Sequence, residues 1–291
     1  MKKEEMVLIK NAYSLYNLNK DEQISKKVLK FALSRLKENK ENIEKLIEIF
    51  KEEILFDELI SCFEKEMAEP DLYKKEKTMK KSGNEFFYGV YTTSVGNILI
   101  ETSNTLSVLK YFVKGIKSRN SITISDIEYN ENDLKNAILL ILKNALEKYE
   151  IDSNLLNIVP YEECKNEWFD KVILEDENKI VSNKIFSDYS YIYLENESFA
   201  SMAVNDLSRL SNKGKQVKII KGTFEDVLNK INGEELFSTC IYTENRELAY
   251  NFINLAQASN VFVNASLEEA EELENIEDEF YMKKKIMYPI N

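Results

Sequence analysis

The strongest nucleophiles in this sequence are three thiols, Cys62, Cys164 and Cys240, and it contains no histidine to activate them. Without histidine, the commonest general base, the Ser-His arrangement and every His-containing zinc site are excluded. The cysteines stand far apart, so no CxxC pair can hold zinc or cycle as a dithiol, and no metal site is expected. Cys164 follows Glu162 and Glu163, whose charge raises a thiol pKa and discourages reaction. Cys62 lies among Leu59, Ile60 and Phe63 and reads as helix packing. Cys240 falls in an apolar run and reads first as a small buried hydrophobe. It is also the candidate nucleophile, although no lysine or helix N-terminus is evident beside it to lower its pKa. The seven glycines of the chain spell neither GxGxxG nor a Walker loop.

Composition narrows the field further. The 291 residues carry 39 Lys+Arg against 51 Asp+Glu, a net charge of −12 that repels nucleic-acid phosphates. Hydrophobic residues make up 44 %, enough to build a core and exclude wholesale disorder. The longest aliphatic run, Ala137–Leu142, is far short of a membrane span, and Met1–Glu5 lacks the apolar run of a signal peptide. A cytoplasmic protein is expected, with neither nucleic acid nor membrane as partner.

Residues 3–66 read as helices that position nothing chemical. Ile24, Val28, Ala32 and Leu36, then Ile43, Leu46, Ile47, Phe50 and Ile54, recur at three- and four-residue steps. Pro70 and Gly83 bracket a basic connector with Lys74, Lys75, Lys77, Lys80 and Lys81. Strand and helix then alternate: strand Phe86–Thr92, a helix to about Gly115, strand Ser121–Ser125, and a helix from Leu134 to Tyr149 capped by Asn130 or Asn132. Strands Leu155–Val159 and Lys171–Leu174 follow. The last third repeats the logic, with strands Val217–Ile220, Phe237–Tyr242 and Val261–Asn264 around helices Phe224–Ile231, capped by Thr223, and Glu244–Ala258. Residues 268–279 hold eight acids and no base and read as an exposed surface. This order predicts parallel sheets with ligands at the strands' carboxyl ends. Loops Thr92–Asn97, Ser125–Asn130, Pro160–Asn166 and Glu175–Asn178 are the ones that matter. Ser94 and Ser125 are cofactor-binding candidates by position.

The run Tyr88-Gly89-Val90-Tyr91, then Asn97, then Lys117-Ser118-Arg119-Asn120-Ser121-Ile122-Thr123-Ile124 resembles the aldehyde dehydrogenase superfamily. There a Leu-Gly-Val-Val strand leads to an asparagine loop, a helix and a Lys-x-Gly-Asn-Ala-Val strand. Phe237–Glu244 and Val261–Ser266 are similar to the His-Ser-x-x-Ile-x-Thr-Glu and Val-Tyr-Val-Asn-Ala-Ser strands of the γ-glutamyl phosphate reductases. The resemblance implies an α/β fold with a Rossmann-type parallel sheet. It divides the chain into N-terminal helices and connector (1–85), a cofactor-type lobe (86–195), a truncated second α/β lobe (196–266) and an acidic tail with an oligomerisation strand (267–291). It implies NADP as cofactor and a cysteine thiolate that forms a thioester for hydride to reduce. It places Asn97 where the family asparagine supports the oxyanion; on its own, Asn97 reads as a helix N-cap. It also implies self-association, or pairing with a related subunit, through exposed strand edges. Glu85–Thr92 and Lys285–Pro289 are the expected edges.

The resemblance breaks at the chemistry. The family cysteine sits in an Arg-Pro-Ser-x-Cys-Asn loop between the strand matched by Tyr189–Leu194 and the segment at Val217. This chain has no cysteine between Cys164 and Cys240. The family's Arg-Gly-Gly after the strand at Ile122–Ile124 becomes Ser125-Asp126-Ile127, and its Pro-Arg-Gly-Gly after Val172–Leu174 becomes Glu175-Asp176-Glu177-Asn178. Glycine and arginine welcome a pyrophosphate. A carboxylate repels it by on the order of 1 kcal/mol at about 4–6 Å, even when screened. The expected function is therefore a pseudoenzyme acting by binding or assembly. The alternatives are an NADP-dependent reductase of an acyl phosphate or aldehyde, using Cys240 or Cys164 or no covalent step, and a module that holds a small molecule in the old crevice between the lobes.

Overall fold

The structure is a computed structural model, which describes residues 2–19, 21, 23–71, 76–82, 86–175, 177–183, 187–212, 216–234, 236–258, 260–265, 267 and 280–289. Helices α1 (Lys3–Leu18), α2 (Ile24–Glu38), α3 (Lys40–Phe50) and α4 (Phe56–Ala68) come first. Strands β1 (Glu76–Ser82), β2 (Phe86–Ser94) and β3 (Asn97–Glu101), helix α5 (Thr105–Ser118), strand β4 (Ser121–Asp126) and helix α6 (Leu134–Lys148) follow. Next are β5 (Leu156–Pro160), β6 (Lys171–Leu174), β7 (Lys179–Ser182), β8 (Ser187–Leu194) and helix α7 (Ala200–Asn212). Then come β9 (Gln216–Ile220), α8 (Phe224–Gly233), β10 (Leu236–Tyr242), α9 (Arg246–Leu255), β11 (Asn260–Val263) and β12 (Tyr281–Pro289). The elements group into two compact units.

The first unit holds α1–α4, β3–β7, α5 and α6. Among the described residues its strands form one sheet in the order β5-β4-β3-β6-β7, parallel except for β7 against β6. The chain enters at β3, moves outward to β4 and β5, then returns to the other side of β3 with β6. The sheet's switch point therefore lies between β3 and β6. Ile98, Ile100, Ile122 and Ile124 are fully buried, as strands covered on both faces require. Helix α5 lies close against β4 because Gly115 has no side chain: a Cβ there would sit 2.2 Å from the Ile122 side chain. Two expectations change. The stretch after Asn97 opens with β3 rather than a helix, because a three-residue apolar run carries no period of its own. Helix α6 is capped by Asp133, whose side chain accepts from the Asn136 amide, not by Asn130 or Asn132.

The second unit holds β1, most of β2, β8–β11, most of β12 and α7–α9. Its sheet runs β1-β2-β12-β11-β10-β8-β9. Strands β8 to β12 pair in parallel, and β1 meets β2 antiparallel. One face buries Tyr191, Ile241, Phe252 and Val261; the other buries Ile192, Cys240, Tyr242 and Phe262. The basic connector is a strand over 76–82, while Lys74, Lys75 and Gly83 lie outside the described residues. The expected edges are not edges: β2 lies between β1 and β12, and β12 between β2 and β11. Main-chain pairing within the chain consumes them. The acidic run 268–279 and Ser266 also lie outside the described residues.

Candidate functional site

The carboxyl ends of β3 and β6 meet at the switch point of the first unit, where an open α/β sheet receives its ligand. Strand β3 ends in Glu101, and Thr102-Ser103-Asn104 leads into α5. Asn104 caps that helix, its side chain accepting from the Ser107 amide. The residue that follows β6 is Glu175. Its carboxylate accepts from the Thr102 hydroxyl at 2.6 Å, the Ser107 hydroxyl at 2.7 Å and the Tyr111 hydroxyl at 3.3 Å. Thr102 and Tyr111 are only 4 % and 3 % exposed, so two of the three donors are held by packing. The head of α5, which favours negative charge, thus faces a carboxylate of the protein itself.

One strand over, β4 ends in Asp126. Its carboxylate pairs with the Lys135 ammonium at 2.5 Å, and Asp133 lies 3.4 Å from the same nitrogen. All three side chains are buried. Burial pushes the Lys135 pKa down, but Asp126 and Asp133 outweigh it and the net shift is upward. A lysine here could hold a phosphate; this one is already bonded to two carboxylates.

Cys164 lies in the loop after β5, beside Ser125 and Glu101. Its thiol is pushed up to about 11, chiefly by burial; the Ser125 hydroxyl opposes the rise, and Glu101 and Glu163 add to it. Burial also raises the Glu101 carboxyl, with Asn166 opposing and Glu177 adding to the rise. A thiol held as high as that of Cys164 is protonated at pH 8. Iodoacetamide labelling of Cys164, followed by mass spectrometry, should be slow at pH 8 and gain roughly tenfold per pH unit towards 10. Fast labelling near neutral pH would reveal an activated thiol and restore a nucleophile to this site.

The residues singled out from sequence do not converge. Ser125 is at the carboxyl end. Asn97 begins β3, at the opposite end of the strand, four steps or roughly 13 Å from Glu101. Its side chain accepts from the Ser121 hydroxyl at 2.5 Å and faces Asp170. The cap expected of Asn97 is made by Asn104 instead. Ser94 is buried and donates to Asn17 at 3.0 Å, with the Tyr13 hydroxyl also at 3.0 Å. Cys240 belongs to the second unit, fully buried in β10, with its sulfur 3.2 Å from the Ala265 carbonyl. Asn264, in the motif shared with the reductases, takes a left-handed φ of 50° and ties the β10 and β11 loops through Thr243, accepting from its amide and donating to its carbonyl. At the carboxyl ends of β8 and β10 the Thr243 hydroxyl donates to Glu195.

Sequence reasoning missed Thr102, Ser107, Tyr111, Asp133 and Lys135. With β3 read as helix, the loop after it was invisible. Asp133-Leu134-Lys135 at a helix start, downstream of a strand-end aspartate, was the signal available for the ion pair. These residues do not fit a dinucleotide. The strand ends present Glu101, Asp126, Glu175 and Glu177, and Lys135 and the Thr102, Ser107 and Tyr111 hydroxyls are already engaged.

No family model and no curated protein matches this chain. Solved structures do. A γ-glutamyl phosphate reductase from Saccharomyces cerevisiae aligns with 100% of this chain and 98% of its own, at 14% identity and a TM-score of 0.54. One from Thermotoga maritima aligns over 98% and 97%, at 13% identity and 0.52. The glyceraldehyde-3-phosphate dehydrogenase GapN from Methanocaldococcus jannaschii, complexed with NADP, aligns over 99% and 93%, at 11% identity and 0.51. The chain has the aldehyde dehydrogenase fold, as the sequence motifs implied.

Proposed function

We propose that this chain is an aldehyde-dehydrogenase-fold protein without dinucleotide-dependent redox chemistry, acting by binding or assembly. The observation that carries the reading is Glu175. A carboxylate with three hydroxyl donors stands at the switch point, where a phosphate would need the same donors and no negative neighbour. The thiols support it. A thioester mechanism needs an exposed, acidified sulfur, whereas the Cys164 pKa is raised and Cys240 is buried within a strand. Among the described residues no helix is long and apolar enough to cross a membrane. Self-association or pairing with a related subunit belongs to this proposal, through a surface other than β2 and β12. Light scattering that reads a clean monomer would remove self-association.

The test is titration with NADPH and with NADH, followed by nicotinamide fluorescence and by thermal shift. No saturable binding is expected at micromolar dinucleotide. Saturable binding together with aldehyde-dependent turnover would overturn the proposal in favour of an NADP-dependent oxidoreductase.

A further inference from the structure

We propose that Glu175 is a tethered plug in an oxyanion cradle: its carboxylate fills the Thr102, Ser107 and Tyr111 hydroxyls at the head of α5, and a free small oxyanion can occupy them only when that carboxylate is absent. The inference rests on the reading that the switch point takes no dinucleotide and names the group responsible.

Three features make the cradle a built site rather than a chance contact. The donors come from separate places, the loop after β3 and the first and second turns of α5, and converge on one carboxylate. Thr102 is fixed from the other side as well, since its oxygen accepts from the Asn104 amide at 3.2 Å. The carboxylate arrives on a strand end that is itself anchored: the Glu175 amide donates to the Glu101 carbonyl at 3.4 Å, and the Asn178 amide donates to the Glu175 carbonyl at 3.0 Å. Asn104 already caps the α5 amides, so an incoming anion would be held chiefly by hydroxyls, with the helix dipole in support. The fitting ligand is a carboxylate or a phosphate of similar size. The remaining acids nearby still oppose anything with several phosphates.

The experiment compares the wild-type chain with Glu175→Ala and Glu175→Gln by thermal shift in sodium acetate and in sodium phosphate, each against sodium chloride at equal ionic strength. In Glu175→Ala, acetate should raise the melting temperature saturably in the millimolar range. Phosphate should do the same, and the wild type should respond to neither beyond chloride. Glu175→Gln, which keeps a carbonyl acceptor in the cradle, should respond less. Adding Thr102→Val to Glu175→Ala should abolish the gain, which locates the anion. If Glu175→Ala folds poorly, acetate-dependent recovery is the same readout, and the glutamine variant supplies a second. Anion responses in neither variant, or an undiminished one with Thr102→Val, would overturn the plug and leave the no-dinucleotide reading standing. Micromolar NADPH binding by the wild type would overturn that reading instead.

Discussion

Lys135→Met should destabilise the protein by about 3–5 kcal/mol in urea unfolding, because it strands a carboxylate inside the first unit. The Asp126 side chain is 0 % exposed and that of Lys135 5 %. Asp126 keeps one bond in the variant, accepted by its second oxygen from the Glu128 amide at 3.0 Å. It loses its cation, and Asp133 at the head of α6 then adds repulsion without relief. The matched experiment is the double variant Asp126→Asn with Lys135→Met. The asparagine still accepts from Glu128, and no charge remains unpaired, so most of the loss should return. The pH dependence has a definite sign. The Lys135 pKa is higher folded than unfolded, so its stabilising contribution is complete below the unfolded value near 10.5. It fades as pH rises through the higher folded value. A Lys135→Met variant within about 1 kcal/mol of wild type would show that the pair is hydrated and that the strand end is open to ligand.

That ion pair also shows where sequence reading stops. The acids at positions 126 and 175 were legible, since a phosphate loop rarely keeps carboxylates, and so was the consequence for a dinucleotide. Their partners were not. Lys135 and Thr102 come from the next helix and the next loop, and nothing local pairs Glu175 with residues 73 and 68 positions earlier. The long helices α2 and α6 and the strands β6 and β9 were readable because their periods run for several residues or are closed by turns, whereas β8 was legible only through the resemblance. Strand β3 was not: Ile98-Leu99-Ile100 is apolar whether helical or extended, and only its parallel neighbours β4 and β6 decide. The hairpin β1–β2 and strand β12 gain their order from pairing within one sheet across most of the chain, information that no window contains.

Arg119 carries the second large effect. It stands where the resembled motif has glycine, as the C-cap of α5 at φ 58°, a left-handed conformation that normally favours glycine. Glycine there would relieve roughly 1–2 kcal/mol of strain. The structure shows what offsets that cost. The guanidinium, in a residue 2 % exposed, donates to the carbonyls of Asn19 at 2.7 Å, Asp21 at 2.8 Å and Tyr16 at 3.3 Å, with the Tyr16 ring 5.4 Å away. Those carbonyls belong to the last turn of α1 and the link to α2, where the dipole favours a cation. Its own carbonyl accepts from the Asn17 side chain at 3.0 Å. Each charge-assisted bond contributes about 1.5–3 kcal/mol, so losing them outweighs the relief. Arg119→Gly should therefore cost about 3 kcal/mol net, and Arg119→Met more, since methionine keeps the strain and loses the donors. Arg119→Lys, with charge but no fork, should fall between Met and wild type. Urea unfolding ranks the four proteins, and hydrogen exchange of the amides at Asn19 and Asp21 reports the link directly. If Arg119→Gly proved more stable than wild type, the arginine would be a burden on the cap rather than the clamp that fixes α1 to the Rossmann-type sheet.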